Sequence, residues 1–253
     1  LLLMQNAKQT GFTTRMSNMG DTRGWGVELS ITSNNISRRN FNWQTTLTLS
    51  HSSSIVTDLG VDYEYVPTYS IGGFMAFGYV KGYPVNSLWG FQSCGVWHND
   101  QERDDNKYTH SYVSIQDING YEKFADINHD GLMDRRDLVY MGSTDPVIQG
   151  GFNNEFQIGK FNLGIYFTFS AGGKIYNIAE AYLGSSQTNS NKYRYMLNSW
   201  SPENPDSDLP SAYTTSAVAC SRFIHDSSFL RLKTLSIGYT FDLPGKVKWL
   251  REI

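Results

Sequence analysis

The stretch KFNLGIYFTFS, residues 160–170, constrains the fold more than any other part of this chain. Phe161, Leu163, Ile165, Phe167 and Phe169 alternate with Asn162, Gly164, Tyr166, Thr168 and Ser170. A period of two puts the first set on one face of a strand and the second on the other. A helix would need its apolar residues at a period near 3.6. The pattern recurs. Trp25, Val27, Leu29 and Ile31 share a face opposite Gly26, Glu28, Ser30 and Thr32. Phe41, Trp43, Leu47 and Leu49 oppose Asn42, Gln44, Thr46, Thr48 and Ser50. Leu235, Ile237, Tyr239 and Phe241 again fall on one side. The fold class is all-β.

The polar faces indicate what surrounds these strands. A strand of a soluble sandwich turns its polar face to bulk water and usually carries Lys and Glu there. Here those positions hold mostly Asn, Gln, Ser, Thr and Gly, which suits the wet lumen of a transmembrane β-barrel. Composition points the same way: 16 Tyr, 14 Phe, 6 Trp and 23 Gly stand against only 18% charged residues. A secreted β-sandwich or lectin-like module is the soluble alternative, since it too favours aromatics.

The connections add a direction. NNISRRN, IGK and DLPGK are short and rich in turn-forming residues. The segments 51–147 and 171–227 are long. If the strands run antiparallel, the short turns fall at one end and both long segments at the other. Outer-membrane barrels have this asymmetry, with short periplasmic turns and long extracellular loops. Tyr239 and Phe241, beside the Pro244 turn, are expected in an aromatic girdle. Arg231 and Lys233 fall on the face of Leu235. They are expected beyond the hydrocarbon, because a lipid-facing charge at mid-depth costs roughly 2–4 kcal/mol.

Within the first long segment, FADINHDGLMDRRD (124–137) reads as a calcium loop. Such a loop presents oxygens from positions 1, 3, 5, 7, 9 and 12 and needs Gly at 6 for its sharp turn. Counting from Asp126 gives Asp126, Asn128 and Asp130 at the first three positions and Gly131 at the turn. Leu132 offers its carbonyl, and Asp137 closes the shell one methylene shorter than the Glu of sensor loops. Asp134, at position 9, binds directly or through water and stands outside the firm set. His129 is at position 4, pointing away. No helical period leads into Asp126, so the loop is expected to staple a surface segment rather than switch a helix pair.

Other functions are excluded or left open. The formal charge of −3 gives no reason to expect nucleic acid. No run of eighteen apolar residues forms a transmembrane helix, and LLLMQNAKQT lacks the marks of a signal peptide. A chain that starts at Leu1 with no address reads as part of something longer. Cys94 and Cys220 lack metal spacing and are either paired or free. The histidines at 51, 98, 110, 129 and 225 show no zinc spacing. SAGGKIYN lacks the first Gly and the hydroxyl residue of a phosphate loop, and no G-x-S-x-G occurs. Trp89, Phe91, Trp97 and Trp200 either stack on sugar rings or pack the loops and the girdle.

Four stretches carry a family resemblance. NMGDTRGWGVELSI (18–31), the 124–177 stretch from FADINHDG to GGKIYN, NSWSPENPDSDLP (198–210) and SRFIHDSSFLRLKTLSIGYTF (221–241) occur in this order. They resemble successive motifs of the SusC/RagA family of TonB-dependent outer-membrane transporters. The resemblance implies the C-terminal part of a large antiparallel transmembrane barrel of about 22 strands, about six of them here, filled by a plug domain. It implies the bacterial outer membrane, a SusD-like surface lipoprotein as lid, and two barrel–lid pairs. It also implies uptake of oligosaccharides or peptides energised through TonB, without bond chemistry. The calcium set Asp126, Asn128, Asp130, Leu132 and Asp137 matches the family's loop. The departures are the missing plug and TonB-contacting segment, and an end at VKWLREI where the family continues with further strands. Arg135 and Arg136 also make the loop less acidic than usual. The alternatives are a secreted calcium-binding β-sandwich adhesin or lectin, and a calcium-stabilised β-rich hydrolase.

Overall fold

A computed structural model describes residues 2–5, 8–11, 14–17, 20–60, 64–72, 74–102, 109–110, 119–184, 191–212 and 218–241. The Pro244 turn and the VKWLREI end lie outside them. The chain divides into two compact units.

One unit comprises residues 24–53, 145–173 and 227 onward. Its framework is an antiparallel sheet of five strands. In spatial order they are Phe229–Tyr239, Phe161–Ala171, Ile148–Ile158, Phe41–Asp58 and Asp21–Arg38. The alternation seen in sequence sets the register. Phe152 pairs with Leu47 on one side and Phe167 on the other, and Phe156 pairs with Trp43 and Leu163. Residues directly opposite share a face. The result is one broad, largely apolar face that stays uncovered: Trp25 is 60% exposed, Phe161 55% and Ile237 76%.

The other face is polar and stitched by side chains. Asn42 Nδ2 donates to Gln157 Oε1 at 3.0 Å, and Gln44 Nε2 donates to Asn34 Oδ1 at 3.0 Å. The tight connections are shorter than NNISRRN suggested. The first strand runs to Arg38 and the second begins at Phe41. Gly159 takes a φ of 60° in the Gly159–Lys160 turn, and its N–H donates to the Asn40 carbonyl at 2.8 Å. Both turns therefore sit at one end of the sheet.

The other unit comprises residues 1–23, 54–144 and 174–226. Its largest sheet has four strands, in the order Val139–Ser143, Ser87–Gly90, Phe74–Val80 and Tyr65–Ile71. Its core joins the two long segments. Leu88, Phe91, Phe124 and Met133 from the first pack with Tyr176, Ala219, Cys220 and Phe223 from the second. The Phe91 N–H donates to the Ala219 carbonyl at 2.8 Å, and the Ser221 N–H donates to the Phe91 carbonyl at 3.0 Å. A Cβ on Gly90 would fall 2.7 Å from the Ala219 oxygen, so only Gly permits this approach.

Candidate functional site

The 126–137 loop runs from the short strand Glu122–Phe124 into a 3-10 turn, Arg135–Asp137, with no helix on either side among the described residues. Core residues hold both halves: Phe124 is 3% exposed and Met133 is fully buried. Between them the loop folds through successive Asx turns. Asn128 Oδ1 accepts the Asp130 N–H at 3.0 Å, and Asp130 Oδ1 accepts the Leu132 N–H at 2.9 Å. Asp126 Oδ2 accepts the Gly131 N–H at 2.9 Å. Gly131 has a φ of 77° and His129 one of 58°, so the turn uses left-handed backbone at both.

Asp137 is fully buried, and its carboxylate gathers the loop. One oxygen accepts the Ile127 N–H at 3.0 Å and the other the Asp134 N–H at 2.9 Å. Asp126 Oδ1 is buried and has no hydrogen-bond partner. A carboxylate oxygen left unpaired away from water carries a desolvation cost that a bound cation would relieve.

Asp134 turns elsewhere. It caps the 3-10 turn and takes the Arg136 guanidinium at 2.8–3.1 Å. The hydrogen bonds from Arg136 hold its carboxyl below the usual range. Arg136 also reaches Asp130 Oδ2 at 2.8 Å. Among the described residues no three His, Cys, Asp or Glu side chains stand together as a ready metal cage. The donors of this loop include the Asn128 amide and the Leu132 carbonyl, and all are hard oxygens of the kind calcium takes.

Three of the four aromatic residues weighed as sugar platforms are core residues: Trp89 is 7%, Phe91 0% and Trp97 1% exposed. Trp200 is half-buried and packs over Gly120. Cys94 is exposed, Cys220 is buried, and both are free thiols.

The main sheet corrects one expectation. Arg231 and Lys233 do not share the face of Leu235. Tyr166 pairs with Thr234 but Phe167 pairs with Leu232, so Lys233 is an extra residue in a β-bulge. The bulge reverses the phase, and Arg231 lies opposite Thr168 on the polar face. Lys233 Nζ sits 5.9 Å over the ring of Tyr166, which belongs to that same face.

Sequence reasoning passed over a polar seam on the apolar face. Asn154 Oδ1 accepts from Trp43 Nε1 at 3.1 Å and from Thr45 Oγ1 at 2.8 Å, while Asn35 Nδ2 donates to Thr45 Oγ1 at 2.7 Å. The signal was present: Asn154 interrupts the apolar series Phe152, Phe156, Ile158.

No family model matches the chain. It is 30% identical over 92% of its length to TonB-dependent receptor P26 of Formosa agariphila, and covers 23% of that protein. It is 29% identical to TonB-dependent receptor P3 of the same organism, over 91% of this chain and 23% of that one. Its fold matches a chain of the RagAB peptide transporter with a TM-score of 0.71 at 20% identity, over 96% of this chain and 25% of that one. The chain thus spans about a quarter of the length of the proteins it matches. In sequence the chain belongs with the TonB-dependent receptors, and its fold is that of part of a RagAB transporter chain.

Proposed function

We propose that this chain is part of the wall and outer loops of an outer-membrane β-barrel that imports nutrients with energy delivered through TonB. The observation that carries the reading is the two-faced sheet. One face is broad, apolar and uncovered; the other is polar and mostly uncharged; the tight turns share one end. Lipid suits the first face and a wet lumen the second. Barrel closure would supply partners for the edge strands, whose N–H and C=O groups lipid cannot satisfy.

Residues 54–144 and 174–226 then stand for extracellular loops, in which two distant segments share one core. Such loops would receive a SusD-like lipoprotein as a lid, in an assembly of two barrel–lid pairs. The cargo is an oligosaccharide or a peptide, and the names of the solved RagAB peptide transporter and importer favour a peptide. Binding and passage, not bond chemistry, are the work.

Calcium belongs to this reading as a structural ion. Asp126, Asn128 and Asp130, the Leu132 carbonyl and Asp137 would hold it, and the unpaired Asp126 oxygen supports the assignment. The ion would supply charge that draws these oxygens together. The chain's own part is to keep the loop folded, through the amides gathered by Asp137 and the flanking core residues.

The test is mild-detergent extraction from native membranes, with intact masses of everything that elutes together and a metal analysis of the same peak. The expected result is an outer-membrane protein accompanied by a lipoprotein and by calcium. Recovery of the protein in the soluble fraction, alone and without detergent, would overturn the barrel.

A further inference from the structure

The bulge at Lys233 does more than interrupt a ladder. Leu230 and Leu232 oppose Phe169 and Phe167 on the apolar face, and Leu235 and Ile237 oppose Ile165 and Leu163 on the same face. An unbulged strand would keep Arg231, Lys233, Leu235 and Ile237 together. The extra residue instead turns both cations toward the polar face. There each is set against an aromatic ring, and neither meets a carboxylate among the described residues: Arg231 Cζ lies 5.1 Å over Phe229, and Lys233 Nζ 5.9 Å over Tyr166. Glu155, nearer the tight turns, bonds Asn153 at 3.0 Å. A groove of about 450 Å³, lined in part by Thr48, Asn153, Tyr166 and Thr234 and toward the tight turns by Glu155 itself, lies alongside.

We propose that Arg231, Lys233 and the Tyr166 ring form a carboxylate-binding site on the polar face of the sheet. A guanidinium donates two parallel hydrogen bonds to a carboxylate, and a neighbouring ammonium adds a point charge. The rings hold both stems near the surface, which lowers the ordering cost of binding. The inference rests on the polar face being a lumen wall. The carboxylate has two sources there: cargo that carries one, or an acidic side chain of the receptor's own remaining length.

A zero-length carbodiimide cross-link distinguishes them. The whole receptor, purified as it is extracted, is treated with and without triglutamate, and the partner of Lys233 is mapped by mass spectrometry. An isopeptide to an Asp or Glu of the receptor identifies the internal source, and one to triglutamate identifies cargo; either supports the site. No cross-link at Lys233, while glycine ethyl ester labels carboxylates elsewhere in the same sample, overturns it. In Arg231→Gln the yield at Lys233 is expected to fall about tenfold, the worth of one charged hydrogen bond. An unchanged yield in folded protein, judged by heat-modifiable migration, removes Arg231 from the site. The parent reading is tested separately. A lipid-dissolved photoactivated probe is expected to label Leu235 and Ile237 and to spare Tyr166; the reverse would sink the lumen assignment whatever Lys233 does.

Discussion

The Arg222 guanidinium clasps the Glu122 carboxylate, with Nε 2.8 and 2.9 Å from its two oxygens. The residues are 100 positions apart and come one from each long segment. Ser93 Oγ donates to the same carboxylate, and Arg222 Nη2 donates to the Asp208 carbonyl at 2.9 Å. Burial pushes the Glu122 carboxyl above the usual range, against the opposing pull of Arg222.

Arg222→Met is expected to cost about 3–5 kcal/mol at neutral pH, because it leaves a buried charge without its partner. The pH dependence has a defined sign. A carboxyl whose folded pKa is raised favours the fold fully below its unfolded pKa and loses that contribution as pH rises through the folded value. Removing the cation raises the folded pKa further. The deficit of Arg222→Met should therefore be small near pH 4 and grow toward pH 8. Urea unfolding followed by tryptophan fluorescence across that range tests this; a deficit that grows on acidification would contradict it.

The Arg136 guanidinium holds an oxygen of Asp130 and one of Asp134 at 2.8 Å, so it would compete with the proposed calcium ion for both. Arg136→Met should bind calcium about fivefold more tightly, corresponding to roughly 1 kcal/mol for one exposed charge pair. Asp126→Asn should bind it more weakly. Calorimetric titration with calcium alone reads both. Unchanged affinity in Arg136→Met would show that the guanidinium does not compete, and unchanged affinity in Asp126→Asn would remove Asp126 from the ligand set.

The two thiols should separate cleanly. Cys94 is exposed, whereas Cys220 is 2% exposed and burial pushes its thiol up. A maleimide reagent should modify Cys94 alone in the folded receptor and both residues in denaturant. Modification of Cys220 at a comparable rate without denaturant would mean that the shared core opens readily. A 94–220 disulfide in protein isolated under oxidising conditions would contradict the structure.

Asn154 is 8% exposed on the apolar face, where its Oδ1 satisfies Trp43 and Thr45. Asn154→Ala should cost about 1–3 kcal/mol by leaving those donors unpaired. Adding Trp43→Phe should recover part of that, because one orphaned donor goes with it. Denaturant midpoints in detergent, read by heat-modifiable migration, decide. Strict additivity of the two changes would mean that the seam is not a network.

Much of the fold was legible along the chain. Alternation is a relation between near neighbours, so the strands, their two faces and the turns at Asn40 and Gly159 follow from local sequence. The turn at Asp126 is equally local, since its side-chain-to-backbone hydrogen bonds and the left-handed Gly131 fall within twelve consecutive residues. Asp134, which stood outside the firm set, is committed to a cap and to Arg136, a choice made by side-chain geometry that spacing does not encode.

What tertiary structure decided is of another kind. The phase slip between Leu232 and Leu235 is visible once it is sought, but only pairing with Tyr166 and Phe167 shows that Lys233 is the extra residue. Periodicity assigns faces within a strand, whereas a bulge is defined between two. For Trp89, Phe91 and Trp97 the sequence favours packing over a sugar platform without saying against what, until Phe91 meets Ala219 and Cys220 across more than a hundred residues. Burial depends on which distant segment arrives, and loop closure over such a distance is driven by the whole apolar cluster rather than by any motif within it.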